Sequence, residues 1–214
     1  MAIQARGHAS RLAILAAAAA VFDEAGFTNT SLVDVIARAE VSNGRFAYHY
    51  PTKESLASAL IDAADKAIAD TMEQILATSA STALEGLIRA SFAAAELTAT
   101  DPVVRVGLQL RHGLGQLSTA RTAGMAAQRR LTDDAIAAAV AEGDLRTDFS
   151  PDQIGHTLLS AMVGNQLQSE AARDRISAGL AACWQVLLRG IVTEQSAGYF
   201  EQFVARLGQA KSRA

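Results

Sequence analysis

The chain has 214 residues, half of them hydrophobic, with three prolines, one cysteine and a formal charge of −3. That length suits about one to two domains. Alanine dominates the apolar half and no alternating Val, Ile and Thr runs occur, which excludes a sheet-built protein in favour of an all-α fold. The lone Cys183 excludes a disulfide within the chain, reads as a small buried hydrophobe, and fits a reducing compartment.

The opening "MAIQARGHASRLAILAAAAAVFDEAG" has two arginines before an apolar run, as a secretory leader would. The run is mostly alanine, however, and passes directly into a helical period with Ile14, Ala18, Val21 and Phe22 on one face. No apolar segment reaches the roughly 18 residues that span a membrane. Ser10 is the expected cap of a first helix that Gly26 ends. A second helix starts near Thr30 and Ser31, with Leu32, Val35 and Ile36 as its apolar stripe, and frays before Glu40. Ser42 caps a third, which Pro51 ends because the residue before a proline is pushed out of the helical region. Three helices in so short a stretch, the last two joined by a brief turn, make a helix-turn-helix.

Thr52 caps a longer fourth helix, and "TALEGLIRASFAAAEL" reads as a fifth. Asp101 before Pro102 is a cap followed by a first-turn proline. The segment 113–124, "GLGQLSTARTAG", is loop-like; helix resumes from Met125 to Glu142, and "GDLRTDFS" breaks it. Ser150, Pro151 and Gln153 give the clearest start signal, a capping box with proline at the first helical position. Helices from about Pro151 to Glu170, Ala172 to Val192 and Ser196 to Lys211 follow.

At roughly 100° per residue, Phe46 and Tyr50 share one side of the third helix, against Phe22, Phe27, Leu32 and Ile36. Arg45, Tyr48 and His49 share an arc on the other, with donors suited to phosphates and to base edges in a major groove. Spacing alone is equally met by an amphipathic helix with a wet face. The surroundings favour DNA: Ser42, Asn43 and Gly44 at the helix start, Thr30 and Ser31 at a neighbouring start, and Lys53 placed to reach phosphate. Although the whole chain is acidic, residues 1–60 set five basic side chains against five acidic ones, so this segment can present a basic face.

The stretch "ILAAAAAVFDEAGFTNTSLVDVIARAEVSNGRFAYHYPTKESLASAL" resembles the N-terminal domain of TetR-type transcriptional repressors, with Phe22, Gly26, Phe27, Thr30, Val41, Gly44, His49, Tyr50 and Lys53 in register. The resemblance implies a homodimer that binds a near-palindromic double-stranded operator through its third helix and is released by a small-molecule inducer. It also implies a DNA-binding domain over 1–55 and a ligand-binding and dimerisation domain over 56–214. "ASFAAAELTATDPVVRVGLQL", "HTLLSAMVGNQL" and "CWQVLLRGIV" are similar to the gamma-butyrolactone receptors of antibiotic-producing bacteria. Two departures stand out. Ala47 replaces a tyrosine with which the family commonly contacts phosphate. Gln128 stands where a pocket tryptophan is usual, which suggests a more polar ligand such as a furan or butenolide.

Beyond residue 56, small side chains either pack helices tightly or leave volume that Phe92, Gln109, Gln128, Met162 and Trp184 would line as a small-molecule site. The dimer interface is expected on the helices from Pro151 to Val192, with close approach at Gly164. The histidines at 8, 49, 112 and 156 show no metal-ligand spacing, and His156 reads as a core histidine. No nucleophile elbow, phosphate-binding glycine loop or zinc signature occurs, so no enzyme, cofactor or metal site is expected. The protein is expected to be cytoplasmic. The alternative is a helical adaptor that binds protein through Arg45 and Tyr48.

Overall fold

Helix α1 spans Ala2–Ala25, nine residues longer at its start than the expected cap at Ser10 allows. Residues 2–9 contain no proline and are rich in good helix formers, so Ser10 is carried inside the helix. The computed structural model describes residues 2–78, 82–113, 123–169 and 176–211. Among them the regular elements are helices: α2 Leu32–Ala39, α3 Asn43–His49, α4 Lys53–Thr78, α5 Ala83–Thr100, α6 Pro102–Gly113, α7 Ala123–Ala141, α8 Pro151–Ser169, α9 Ile176–Ile191 and α10 Glu194–Lys211. The expected loop lies outside the described residues from 114 to 122, as does the expected start of α9 at Ala172.

The chain forms two compact units: residues 1–67 with 100–125, and residues 68–99 with 126–214. In the first, Gly26 ends α1 at φ 78°, its N–H bonded to the Phe22 carbonyl at 2.9 Å. Glu40, the C-cap of α2, takes φ 53°, a left-handed conformation rare for a side-chain-bearing residue, and this turns the chain sharply into α3. The core joins Ile14, Ala18 and Phe22 of α1, Val35 of α2, Phe46 of α3 and Tyr50 at its C-cap, Leu56 and Leu60 of α4, and Val106 and Leu110 of α6.

Helix α6 is clasped onto this unit. Asp101 Oδ1 accepts the Val103 N–H at 2.8 Å and the Val104 N–H at 3.4 Å, so the Asp-Pro start forms as expected. Arg105 pairs with Asp23 of α1 at 3.1 Å, and Arg111 pairs with Asp65 of α4, whose side chain is 0% exposed. At Gly107 the backbones of α6 and α4 come so close that an added Cβ would lie 2.4 Å from the Leu60 carbonyl oxygen.

In the second unit, Leu84, Ile88 and Phe92 of α5, Ile136 of α7, Leu158 of α8, Trp184 and Leu188 of α9, and Phe200 and Val204 of α10 share one core. The capping box at α8 is complete: the Ser150 N–H donates to Gln153 Oε1 at 2.9 Å and the Gln153 N–H to Ser150 Oγ at 3.2 Å. An antiparallel bridge between Leu145 and Val192, with no forewarning in the sequence pattern, ties the segment after α7 to the end of α9. Asn165 Nδ2 donates to the Ile176 carbonyl at 2.8 Å, and its Oδ1 takes the space a Cβ at Gly179 would need. Within the chain, a close approach in this region is at Gly179, while Gly164 has nothing of its own chain within 4 Å of a built Cβ. Two expectations change: His156 is exposed, because it lies on the outer face of α8, and Cys183 is half-buried.

Gly107→Ala is expected to destabilise the fold by about 1–3 kcal/mol, because backbone atoms must move, whereas Gly164→Ala, in open space inside α8, should raise the denaturation midpoint of the isolated chain, by up to about 1 kcal/mol of stability. Arg111→Met leaves the Asp65 carboxylate buried without its guanidinium and should cost about 3 kcal/mol by urea unfolding. Burial, and secondarily Arg111, hold the His112 imidazole below its ordinary 6.5. The unfolded chain therefore binds that proton more readily, so the stability contribution is full above pH 6.5 and is lost as pH falls towards the folded value. His112→Gln should flatten that part of the stability–pH curve.

Candidate nucleic-acid interface

Seven residues are too few for a helix to persist alone, so α3 depends on its ends and its buried side. Ser42 caps it, its hydroxyl accepting the Arg45 N–H at 3.4 Å, and the Tyr50 N–H closes the last turn on the Phe46 carbonyl at 2.8 Å. Phe46 and Tyr50 are buried with their rings 6.4 Å apart, in one core with Phe22, Phe27, Leu32 and Ile36, the partners read from the sequence, and with Val35 besides. Arg11 of α1 adds a contact the sequence did not reveal: its Nε donates to the Tyr50 hydroxyl at 3.1 Å and fixes that ring from the α1 side.

The opposite face of α3 is open. Ser42, Asn43, Gly44, Arg45, Ala47 and Tyr48 are exposed, Tyr48 by 84%, while His49 is half-buried with its ring edge-on to Tyr48 at 5.2 Å. A guanidinium, a phenol and an imidazole thus project from one short element. Their donors match the acceptors of phosphates and of guanine in the major groove.

The flanking residues are arranged differently from expectation. Ser31, not Thr30, caps α2, in a capping box: the Asp34 N–H donates to Ser31 Oγ at 3.3 Å, and the Ser31 N–H to Asp34 Oδ2 at 2.8 Å. The Ser31 hydroxyl also donates to that carboxylate at 2.7 Å; these bonds from the Ser31 side chain and backbone hold the Asp34 carboxyl below its usual range. Thr30 is buried and donates to the Phe27 carbonyl at 3.1 Å, because the chain must close the turn between α1 and α2. Lys53, at the start of α4, donates to the Thr30 carbonyl at 2.6 Å and lies 4.5 Å from the centre of the Phe27 ring. It staples the α1–α2 turn to the start of α4.

The residues expected to line a small-molecule site are divided between the two units. Trp184 is buried and donates from Nε1 to Ser91 Oγ at 2.8 Å; Phe92 shares its core, and Met162 packs against that core. Gln128 is half-buried on α7 in the same unit, whereas Gln109 lies on α6 in the first unit. Trp184 also borders a largely apolar cavity of about 240 Å³, with Leu84, Leu87, Leu145, Gln153 and Thr157 among its walls. Apart from Trp184, the walls escaped the sequence reading, because ordinary core leucines carry no signal of an unfilled space beside them. Among the described residues there is no group of three His, Cys, Asp or Glu side chains able to hold a metal ion, and no helix long and apolar enough to cross a membrane.

Comparison with known proteins places both halves. Residues 14–60 match the bacterial regulatory proteins, tetR family, and residues 81–193 match the tetracyclin repressor-like C-terminal domain. The A-factor receptor protein of Streptomyces griseus is 37% identical over 62 residues, which is 29% of this chain and 22% of that protein, so the match spans about a fifth of the relative's length. CprB from Streptomyces coelicolor, solved in complex with its biological operator sequence, superposes with a TM-score of 0.78 at 29% identity, over 95% of this chain and 98% of the other. A gamma-butyrolactone receptor described as ArpA-like gives 0.76 at 27% identity, over 95% and 99%. The chain belongs to the TetR family of bacterial regulatory proteins, and within it is similar to the gamma-butyrolactone receptors.

Proposed function

We propose that this protein is a ligand-responsive transcriptional repressor, cytoplasmic and non-catalytic, which binds a near-palindromic operator as a homodimer and is released by a small signalling molecule of gamma-butyrolactone, butenolide or furan type. Residues 1–55 act as the DNA-binding part and 56–214 as the ligand-binding and dimerisation part. The observation that carries the reading is the open face of α3, where Arg45, Tyr48 and His49 project while Phe46 and Tyr50 anchor the helix from behind. Ser42, Asn43 and Gly44 approach the backbone at its start, and Ser31 does so at the start of α2. Thr30 and Lys53 support this surface from within. The similarity to a regulator solved on its operator favours duplex DNA over a protein partner for that face.

One short helix reads too few base pairs for a genomic target, so two heads must bind half-sites spaced by the DNA repeat. The side chains available for self-association are the exposed Leu167 of α8 and the exposed Ala182 and Val186 of α9, Val186 being 74% exposed. Release by ligand requires that the molecule bind the DNA-incompetent arrangement more tightly. Typical couplings are about 1–3 kcal/mol, and a switch from about 1:99 to 99:1 needs roughly 5.5 kcal/mol. Phe92, Gln109, Gln128, Met162 and Trp184 are the residues proposed to sense it.

In a gel shift against the protein's own upstream region, the wild type should give a specific complex that weakens steeply with salt and is released by extract of the producing culture. Arg45→Ala and Tyr48→Ala should each weaken it by about 1–3 kcal/mol, roughly fivefold to 150-fold. Ala47→Tyr, by adding a hydroxyl within reach of phosphate, should tighten it by about 1 kcal/mol. Val186→Glu should sediment as a monomer and lose the palindromic complex. Unchanged affinity in both Arg45→Ala and Tyr48→Ala would overturn the reading.

A further inference from the structure

Helix α10 commits Phe200, Phe203 and Val204 to the core of the second unit and leaves one edge at the surface. Tyr199, Phe203, Arg206 and Leu207 stand at i, i+4, i+7 and i+8, so they form a strip along one side of the helix. Arg89 of α5 borders the strip, and the five residues line an open cleft of about 430 Å³. The Tyr199 ring, 48% exposed, stacks on Phe203 with centroids 6.1 Å apart, and the Arg89 guanidinium lies 4.7 Å from the centre of the Phe203 ring. Packing against the ring restricts the guanidinium, so less freedom is lost when its N–H groups meet a ligand. Those donors are unused. The Glu85 carboxylate is 3.8 Å from Arg89, beyond hydrogen-bond distance, and its side chain is 3% exposed. Among the described residues neither Arg206 nor the Tyr199 hydroxyl has a hydrogen-bond partner, and no acidic side chain lines the cleft.

Two guanidiniums and a phenol around an apolar floor match a partner that carries carboxylates beside an apolar group, and arginine and tyrosine are the residue types that anchor protein interfaces. From Tyr199 to Leu207 the strip rises about 12 Å, the reach of about four residues of extended chain. A small-molecule site encloses most of its ligand, whereas the exposed Tyr199 and Arg206 leave this one open. A nucleic-acid strand needs a longer run of basic side chains along its phosphates than the two arginines here. We propose that the strip formed by α10 and Arg89 is a docking site for an acidic peptide segment of a partner protein: an apolar side chain packs on Tyr199 and Leu207, and flanking carboxylates pair with Arg89 and Arg206. The site shares no residue with the DNA-reading face or with the proposed sensing residues, so it stands apart from both readings.

The test is a panel of peptides about six residues long, each with a phenylalanine, tyrosine, tryptophan or leucine set between glutamates, amidated at one end and carrying a neutral dye at the other. Titrated with the intact protein and followed by fluorescence polarisation, at least one should bind saturably. Replacing its glutamates by glutamines should weaken it at least about tenfold. Arg206→Ala, a change at an exposed position, should weaken it about fivefold, and Arg206→Glu should remove it, with the thermal midpoint of the free protein in place. Arg45→Ala should leave peptide binding intact, which separates this strip from the basic face of α3. The proposal is overturned if no peptide in the panel binds saturably, if the glutamine version binds as tightly, or if Arg206→Glu binds like the wild type. Loss of binding in Arg45→Ala overturns it too, as does displacement of the peptide by a single-stranded oligonucleotide, which would mark a phosphate site instead.

Discussion

The reading helix exists because two rings behind it are buried. A seven-residue helix is unstable in water by itself, since nucleation costs more than one turn of hydrogen bonds returns. Phe46 and Tyr50 supply the missing free energy by leaving water, on the order of 2 kcal/mol each, and the caps at Ser42 and Tyr50 fix where the helix begins and ends. Because one side is committed to the core, the angular placement of Arg45, Tyr48 and His49 is decided without any contact of their own. Arg11 and Lys53 extend this logic outward: one bonds the Tyr50 hydroxyl, the other ties the carbonyls before α2 to the start of α4. Exposed function here rests on buried packing.

Most of this arrangement was legible in the chain. Alternating small and large apolar residues at helical spacing, Gly26, Ser42, Pro51 and the Ser150-Pro151-Gln153 start gave the helices and most of their ends, because caps and breakers act locally. Ser10 misled, because a capping residue signals a start only where the preceding residues resist helix, and residues 2–9 do not.

The site was legible to the extent that it depended on periodicity. The outward arc of α3 follows from 100° per residue; the inward turn of Lys53 does not, because a flexible ammonium chooses among acceptors that only the tertiary fold brings near. Likewise the pairing of Asp65 with Arg111, and of Asp23 with Arg105, joins residues far apart in the chain that no local pattern links. On the sensor side, Phe92, Met162 and Trp184 do share a core, but the empty volume lies beside residues chosen for nothing in particular, since a cavity is a property of what fails to meet.

The clasp of α6 has a bearing on how the molecule is made. The first unit is discontinuous: α5 and the end of α4 intervene between its N-terminal helices and α6. During synthesis the operator-reading helices emerge first, with Asp65 still lacking its guanidinium and the surface that Val106 and Leu110 will cover still wet. Completion of the N-terminal unit therefore waits on translation well past its own helices, so that a nascent chain cut short before α6 would carry a DNA-reading motif without the brace that makes it firm.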